Sequence, residues 1–189
     1  MNFIFQLDTQ LFLAINHLPH NPLFDIFFGL VTFIGIEGAI WIILAGIIWW
    51  QTKKENDSKK ILLLTFLVFL LSQAVEIGVK NLIRRPRPQF GPISAFVPFD
   101  FAHSYSFPSG HTLIAFSFAY VLSQLRPQKK MIYYLLAVLI AFSRIYLGKH
   151  YPSDVLAGAL LGILVGIVSW RINPYLWRVF NQKFPRIFV

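Results

Sequence analysis

The sequence predicts an all-α protein, a polytopic transmembrane helical bundle with five spans plus an N-terminal interfacial amphipathic helix. Apolar residues make up 56% of the 189 residues and charged residues only 13%, whereas about a quarter of the residues in a soluble domain are charged. The chain also has 20 Phe and 5 Trp, which suit a lipid-facing surface with aromatic belts. We therefore interpret residues 1–189 as a single membrane-embedded domain rather than a soluble globular protein.

Residues 1–22 are predicted to form the interfacial helix. Apolar residues recur there at helical spacing among polar ones, a pattern typical of a helix that lies in the plane of the membrane surface. Asn21-Pro22 then breaks this helix. No Lys or Arg precedes Lys53, so the segment lacks the basic region of a secretory signal peptide and is expected to be retained.

The membrane core is predicted to occupy residues 23–170, followed by a basic cytoplasmic tail over 171–189. Its five spans are Leu23–Trp50, Ile61–Val79, Ser109–Leu125, Met131–Leu147 and Ser153–Trp170. The last three are at the short end for a hydrocarbon core of about 30 Å. Polar residues at the ends of these spans are therefore expected near the depth of the lipid headgroups.

The net charge is +9, a value that suits either nucleic acid or an anionic membrane surface. The apolar spans favour the membrane, and no nucleic-acid partner is expected. Five crossings place 11 of the 17 basic residues on one side, which the positive-inside rule makes cytoplasmic: Lys53, Lys54, Lys59, Lys60, Arg126, Lys129, Lys130, Arg171, Arg178, Lys183 and Arg186. The other six lie on the extracytoplasmic side against the rule and need a separate reason: Lys80, Arg84, Arg85, Arg87, Arg144 and Lys149.

Three clusters of polar residues share that outer side. They read KNLIRRPRP at residues 80–88, PSGH at 108–111 and SRIYLGKHYPSD at 143–154. The loop over Arg84–Phe107 is expected to cover or flank whatever site they form. Cysteine is absent, so a disulfide and a thiolate metal site are both excluded, and we expect neither a metal ion nor a cofactor.

His150 and Asp154 are four residues apart and can share a helix face near the start of the fifth span. Asp154 would then accept a hydrogen bond from one ring nitrogen of His150 and leave the other nitrogen unprotonated. An imidazole oriented in this way can act as a nucleophile. Taken alone, the two residues could equally form a structural pair.

The residues Ser109, Gly110 and His111 open the third span. A helix start offers unpaired backbone N–H groups and the positive end of a dipole, which suit a phosphate oxygen. Gly110 allows a ligand to approach the backbone, and His111 could give a proton to a departing oxygen. Taken alone, His111 could also be a helix cap.

Positive charge for a phosphate would come from Lys80, Arg87 and Arg144. A planar guanidinium can bind two oxygens at once, although the arginines taken alone could anchor the chain at the interface. Glu76 lies one turn before Lys80, and we interpret that pair as structural, since acids within a membrane usually have a partner.

The three clusters together resemble the signature of the type 2 phosphatidic acid phosphatase superfamily. The first part of the signature is a Lys followed by six residues and then Arg-Pro, and it is matched by Lys80, Arg87 and Pro88. Arg85-Pro86 is a second Arg-Pro, but it lies two residues too close to Lys80 to fit this spacing. Its second part is present unchanged at 108–111. Its third part is matched by Ser143, Arg144, His150 and Asp154.

This resemblance implies a metal-independent phosphatase in which His150 is the nucleophile and forms a phosphohistidine. It also implies that Asp154 orients His150 and that His111 protonates the leaving group. The phosphate would be held by Lys80, Arg87, Ser109, Gly110 and Arg144. The implied fold is a helical membrane core that surrounds the signature.

The expected substrate is a membrane lipid with a terminal phosphate or diphosphate, entering sideways from the outer leaflet of a bacterial-type plasma membrane. Undecaprenyl diphosphate is narrowly favoured over phosphatidylglycerophosphate and phosphatidic acid. A lipid phosphotransferase would use the same phosphohistidine with an acceptor other than water. A haloperoxidase of the superfamily is another interpretation of the site. Those enzymes are soluble, however, so the five predicted membrane spans argue against it. A non-enzymatic transporter or scaffold that binds anionic lipid would explain the arginines but not the two spaced histidines.

Overall fold

A computed structural model describes residues 3–54, 58–90, 95–97 and 104–183. These residues form seven α-helices and no strand: α1 Phe3–Asn16, α2 Pro22–Ile34, α3 Ala39–Thr52, α4 Lys59–Ile83, α5 Gly110–Leu125, α6 Lys130–Tyr146 and α7 Pro152–Lys183. Single turns of 3-10 helix lie at Ile36–Gly38, Pro88–Phe90 and Pro127–Lys129. The all-α prediction is confirmed.

The first predicted span is two helices rather than one. The axes of α2 and α3 differ by 56° across the break. Gly38 in that break has φ +75, a left-handed backbone conformation that a residue with a Cβ rarely adopts. The apolar run over residues 23–50 therefore continues through a bend that hydrophobicity alone does not reveal.

The last helix is longer than the predicted span. We expected it to end at Trp170, but α7 continues to Lys183 with Pro174 inside it. The part of the basic tail that the structure describes is therefore helical. Residues 184–189 of that predicted tail lie outside the described residues, as do 91–94 and 98–103 of the predicted covering loop.

Two described helices, α4 and α7, are each long and apolar enough to cross a membrane, and the bent pair of α2 and α3 can form a third crossing. Helices α5 and α6 have 16 and 17 residues, or roughly 25 Å each at about 1.5 Å per residue. The prediction of five crossings therefore depends on these two short helices. Apolar side chains are exposed along the outer faces of the helices, as expected for contact with lipid: Phe33, Ile43, Phe66, Leu70, Ile132, Leu135, Leu156, Leu160 and Leu164.

Helix α5 lies at the centre of the bundle, and its apolar side chains are buried among those of α3, α4 and α6. On its other side a stripe of glycines on α7 lets the two backbones meet. A Cβ on Gly158 would lie 2.7 Å from the Ser109 carbonyl oxygen, and a Cβ on Gly162 would overlap the Leu113 carbonyl. Close approach through small residues is a common way to pack helices in membranes. It brings the first turns of α5 and α7 together at one end of the bundle.

Candidate active site

His150 lies in the turn that joins α6 to α7, just before the helix rather than on it. The turn is closed by hydrogen bonds from the N–H groups of Lys149 and His150 to the Arg144 carbonyl, at 2.9 and 3.2 Å. Gly148 within it has φ +71, and a Cβ there would lie 2.6 Å from the Phe96 carbonyl oxygen. The turn therefore holds a buried imidazole at the end of the bundle where α5 and α7 begin.

The hydrogen bonds of His150 define its tautomer. Arg87 Nη1 lies 3.2 Å from His150 Nε2. Because a guanidinium is only a donor, Nε2 must be an acceptor and is unprotonated, which leaves the ring proton on Nδ1. Burial, and then the positive charges of Arg87 and Arg144, hold the pKa of His150 well below its ordinary value of 6.5. The imidazole is therefore neutral, and the lone pair of its unprotonated nitrogen accepts from Arg87.

Asp154 faces the other ring nitrogen, but less directly than expected. Its Oδ2 is 3.7 Å from His150 Nδ1, which is longer than a hydrogen bond. The Ser106 hydroxyl donates to Oδ2 at 2.5 Å and lies 3.5 Å from His150 Nδ1. Ser106 therefore contacts both His150 and Asp154. It lies outside the three clusters that the sequence singled out, so sequence reasoning missed it.

Arg87 is held rigidly by two parts of the backbone. Its Nε donates to the Ser104 carbonyl at 2.7 Å and its Nη1 to the Lys149 carbonyl at 3.0 Å. The Ser104 hydroxyl also accepts from Arg87 Nη2 at 3.0 Å and from Lys80 Nζ at 3.2 Å. Ser104, which sequence reasoning missed, therefore joins two of the predicted phosphate-binding cations.

Lys80 also forms the expected pair with Glu76, at 2.6 Å. The Glu76 carboxylate occupies the space where a Cβ on Gly110 would lie. A side chain at position 110 would therefore displace this carboxylate from beside Lys80. This contact places Lys80 beside the first turn of α5.

The start of α5 packs against the start of α7. The Ser109 N–H donates to the Asp154 carbonyl at 3.0 Å, and the Ser109 hydroxyl accepts from Thr112 at 3.0 Å. Among the described residues no side chain caps this helix start, the Ser109 side chain included. The first N–H groups of α5 are the kind that bind an anion.

His111 and Arg144 each carry a buried nitrogen with no hydrogen-bond partner in the described part of the chain, Nε2 of His111 and Nε of Arg144. Arg144 is otherwise fixed by a 3.0 Å hydrogen bond from Nη1 to Thr32 Oγ1 of α2. Buried polar atoms without a partner are rare and call for an explanation. Here both nitrogens belong to residues that line one cavity.

That cavity, the α2 cavity, has a volume of about 510 Å³. His111, Arg144, Thr32, Leu147 and Lys149 line its inner end. The rest of its wall is apolar and comes mostly from α2: Ile26, Gly29, Leu30, Phe33 and Ile36. A second cavity of about 640 Å³ is lined by Lys80, Arg87 and Ser104, between α4 and the segment over 104–105. Cations of the site therefore line both cavities.

The structure thus brings all eight predicted site residues to one end of the bundle. Arg87, Arg144 and Lys80 are all close enough to His150 for their charges to lower its pKa. In the described residues no group of three or more His, Asp or Glu side chains is arranged to hold a metal ion. A neutral imidazole can attack a phosphorus centre through its unprotonated nitrogen once Arg87 donates to the phosphate instead, and the cations and the open helix start can stabilise the charge.

The model of the PAP2 superfamily matches residues 60–178, and the chain belongs to that family. It is similar to phosphatidylglycerophosphatase B of Bacillus subtilis, with 38% identity over 132 residues, 64% of this chain and 62% of that protein. It is also similar to undecaprenyl-diphosphatase of Sulfolobus acidocaldarius, with 43% identity over 70 residues, 36% of this chain and 34% of that protein. The chain matches less than two thirds of either relative's length.

The fold is similar to a crystal structure described as the first transmembrane PAP2-type phosphatidylglycerolphosphate phosphatase from Bacillus subtilis. The TM-score is 0.71 with 28% identity, over 98% of this chain and 90% of that one. With the long apolar helices α4 and α7, this similarity identifies the chain as a membrane protein.

The unpartnered Nε of Arg144 predicts that this residue contributes directly to anion binding. Hydrogen bonds to charged groups contribute about 1.5–3 kcal/mol, so Arg144→Gln should weaken binding of vanadate by roughly 10- to 100-fold. Titration calorimetry in detergent measures this. The control is Arg84→Gln, because Arg84 is exposed and donates from Nε to the Asn81 carbonyl. Equal affinity in the two variants would show that Arg144 does not bind the anion.

Proposed function

We propose that this protein is an integral membrane lipid phosphatase that hydrolyses a lipid phosphate or diphosphate monoester through a phosphohistidine at His150. The observation that carries the proposal is the unprotonated Nε2 of a buried imidazole, 3.2 Å from Arg87 Nη1. A nucleophile needs an available lone pair, and a phosphate needs positive charge next to it. His150 and Arg87 supply both at one point.

In the first step, Nε2 of His150 forms a bond to phosphorus while the bond from phosphorus to the leaving oxygen breaks. His111, held in its protonated form by the anionic phosphate bound beside it, gives that oxygen its proton. Lys80, Arg87 and Arg144 stabilise the charge on the equatorial oxygens, together with the Ser109 hydroxyl and the Gly110 N–H. Asp154 compensates the positive charge that develops on the imidazole, since it faces the protonated Nδ1.

In the second step, water attacks the phosphohistidine. The bond from nitrogen to phosphorus breaks, the electron pair returns to Nε2, and His111 takes a proton from the water. Inorganic phosphate then leaves and the starting charges are restored. Every group in this cycle is a side chain or backbone N–H of the protein, so the reaction we propose uses neither a metal ion nor a cofactor.

The apolar wall of the α2 cavity supports a lipid as the substrate. Its acyl or prenyl chain would lie along α2 and its phosphate beside His111 and Arg144. Undecaprenyl diphosphate remains narrowly favoured, with phosphatidylglycerophosphate and phosphatidic acid close behind. One similar protein is named undecaprenyl-diphosphatase and another phosphatidylglycerophosphatase. Their names indicate that the family includes enzymes for a prenyl diphosphate and for a glycerophospholipid phosphate.

We further propose five membrane crossings with α1 in the interface, in a bacterial-type plasma membrane with the site on the extracytoplasmic side. The excess of basic residues near the opposite ends of the helices supports this orientation. A role in the site then explains why basic residues lie on the outer side, against the positive-inside rule. Five of them, all but the exposed Arg84, are partly or fully buried at the site.

Substrates with different leaving groups can test both the proposed function and the separate roles of His111 and His150. Release of phosphate should be measured in one detergent, with excess chelator, from undecaprenyl diphosphate, phosphatidylglycerophosphate, phosphatidic acid and nitrophenyl phosphate. Protonation of the leaving oxygen contributes about 10²–10⁴-fold, but nitrophenolate leaves without a proton. His111→Ala should therefore lose far more activity on phosphatidylglycerophosphate and phosphatidic acid, which release an alkoxide, than on nitrophenyl phosphate. His150→Ala should lose activity on all four.

Wild-type protein that releases no phosphate from any of these lipids would overturn the proposed function. Activity that requires a divalent ion would contradict the metal-independent mechanism. Equal losses on phosphatidic acid and nitrophenyl phosphate for His111→Ala would remove its role as the acid. The thermal unfolding of each variant should match that of the wild type.

The orientation can be tested with single thiols, because the natural chain has no cysteine. Asn81 and Asn181 are both exposed, at the outer end of α4 and near the end of α7. An impermeant maleimide should label Asn81→Cys on intact cells, and Asn181→Cys only after the cells are opened. The reverse pattern would place the site on the cytoplasmic side.

A further inference from the structure

Asp8 of α1 lies against the site although it is far from the signature in sequence. Only 7% of its surface is exposed. Its Oδ1 accepts from the Ser153 backbone N–H at 2.9 Å, and its Oδ2 accepts from the Ser153 hydroxyl at 2.6 Å. A buried carboxylate in contact with the first turn of α7 requires a positive partner.

Arg85 is that partner. Its Nη2 donates to Asp8 Oδ2 at 2.7 Å, and its Nη1 donates to Asp154 Oδ1 at 2.7 Å. The guanidinium also packs over the Tyr151 ring, with Cζ 3.9 Å from the centroid. The planar guanidinium of Arg85 thus bridges the buried carboxylates of Asp8 and Asp154. A lysine ammonium, which acts as a point charge, cannot reproduce this geometry.

This bridge determines which oxygen of Asp154 faces His150. Arg85 donates to Oδ1 of Asp154, whereas Oδ2 of Asp154 accepts from the Ser106 hydroxyl and from the Tyr151 N–H. Oδ2 is the oxygen next to His150 Nδ1. Among the described residues, Arg85 is the one ion-pair partner of Asp154 whose charge is fixed. Without Arg85 the carboxylate could therefore rotate away from the imidazole.

We propose that Arg85 and Asp8 are positioning residues for the nucleophile: Asp8 fixes the Arg85 fork, and Arg85 fixes the carboxylate of Asp154 that orients His150. This inference rests on the proposed function, in which His150 attacks phosphorus. Helix α1 then takes part in the site and is not solely a membrane anchor. Neither Asp8 nor Arg85 lines the α2 cavity, where the proposed function places the lipid.

The test is a double-mutant cycle on nitrophenyl phosphate, which needs no proton from His111 and so reports the nucleophilic step. Asp8→Asn and Arg85→Gln should each lower kcat by about 10- to 100-fold, the usual effect of removing a group that orients a functional histidine, with KM close to that of the wild type. The double variant should be little worse than Arg85→Gln alone, because Asp8 acts through Arg85. Arg85→Lys should recover only part of the loss.

The matched control is Asp25→Asn. Asp25 is also a carboxylate near α1, bonded to His20 at 2.6 Å and to the Tyr146 hydroxyl at 3.1 Å, but it does not touch Asp154. It should keep kcat near the wild-type value even if the protein unfolds at a lower temperature. Asp8→Asn is nearly isosteric and keeps the test valid if Arg85→Gln does not fold.

Three results would overturn the inference: losses in kcat that multiply in the double variant, a rise in KM with kcat unchanged, or an equal fall in kcat for Asp25→Asn. Full activity of Asp8→Asn and Arg85→Gln, with His150→Ala inactive, would reject the positioning role and leave the proposed function intact. An inactive wild-type protein would reject the proposed function itself.

Discussion

The fully buried carboxylate of Asp154 is the constraint around which this end of the molecule is built. A charge removed from water must be paired and hydrogen-bonded, or it destabilises the fold by several kcal/mol. The partners come from separate parts of the chain: Arg85 after α4, Ser106 before α5, and the backbone of Tyr151 before α7. Satisfying one carboxylate therefore brings together the segments that carry the site.

The same residue connects the site to the packing of the bundle. Its backbone carbonyl accepts from Ser109 at the start of α5, and this contact is close because Gly158 has no Cβ to separate the two helices. The helix start and the imidazole are thus held in a fixed relation by the backbone. The cations then act on a rigid frame, and preorganised charge is the largest contribution that many enzymes make to the transition state.

Much of this arrangement could be predicted from the sequence, because the signature residues lie at helix ends and their spacing is local. The starts of α5 and α7 and the limits of α6 fall within one residue of the predicted spans. The break at Gly38 and the extension of α7 beyond Trp170 could not be predicted, since the first depends on backbone conformation and the second continues past the apolar run. Asp8 and Thr32 could not be found either, because their partners Ser153 and Arg144 lie more than a hundred residues away.

The central claim of this account is that His150 carries the phosphate between the two steps. It is tested most directly by quenching the enzyme during turnover of a labelled phosphate substrate and locating the label by mass spectrometry. We predict a phosphoramidate, labile in acid and stable in base, on His150 of the wild type, with no label on His150→Ala. Label on a different residue, or continued release of phosphate by His150→Ala, would contradict the account.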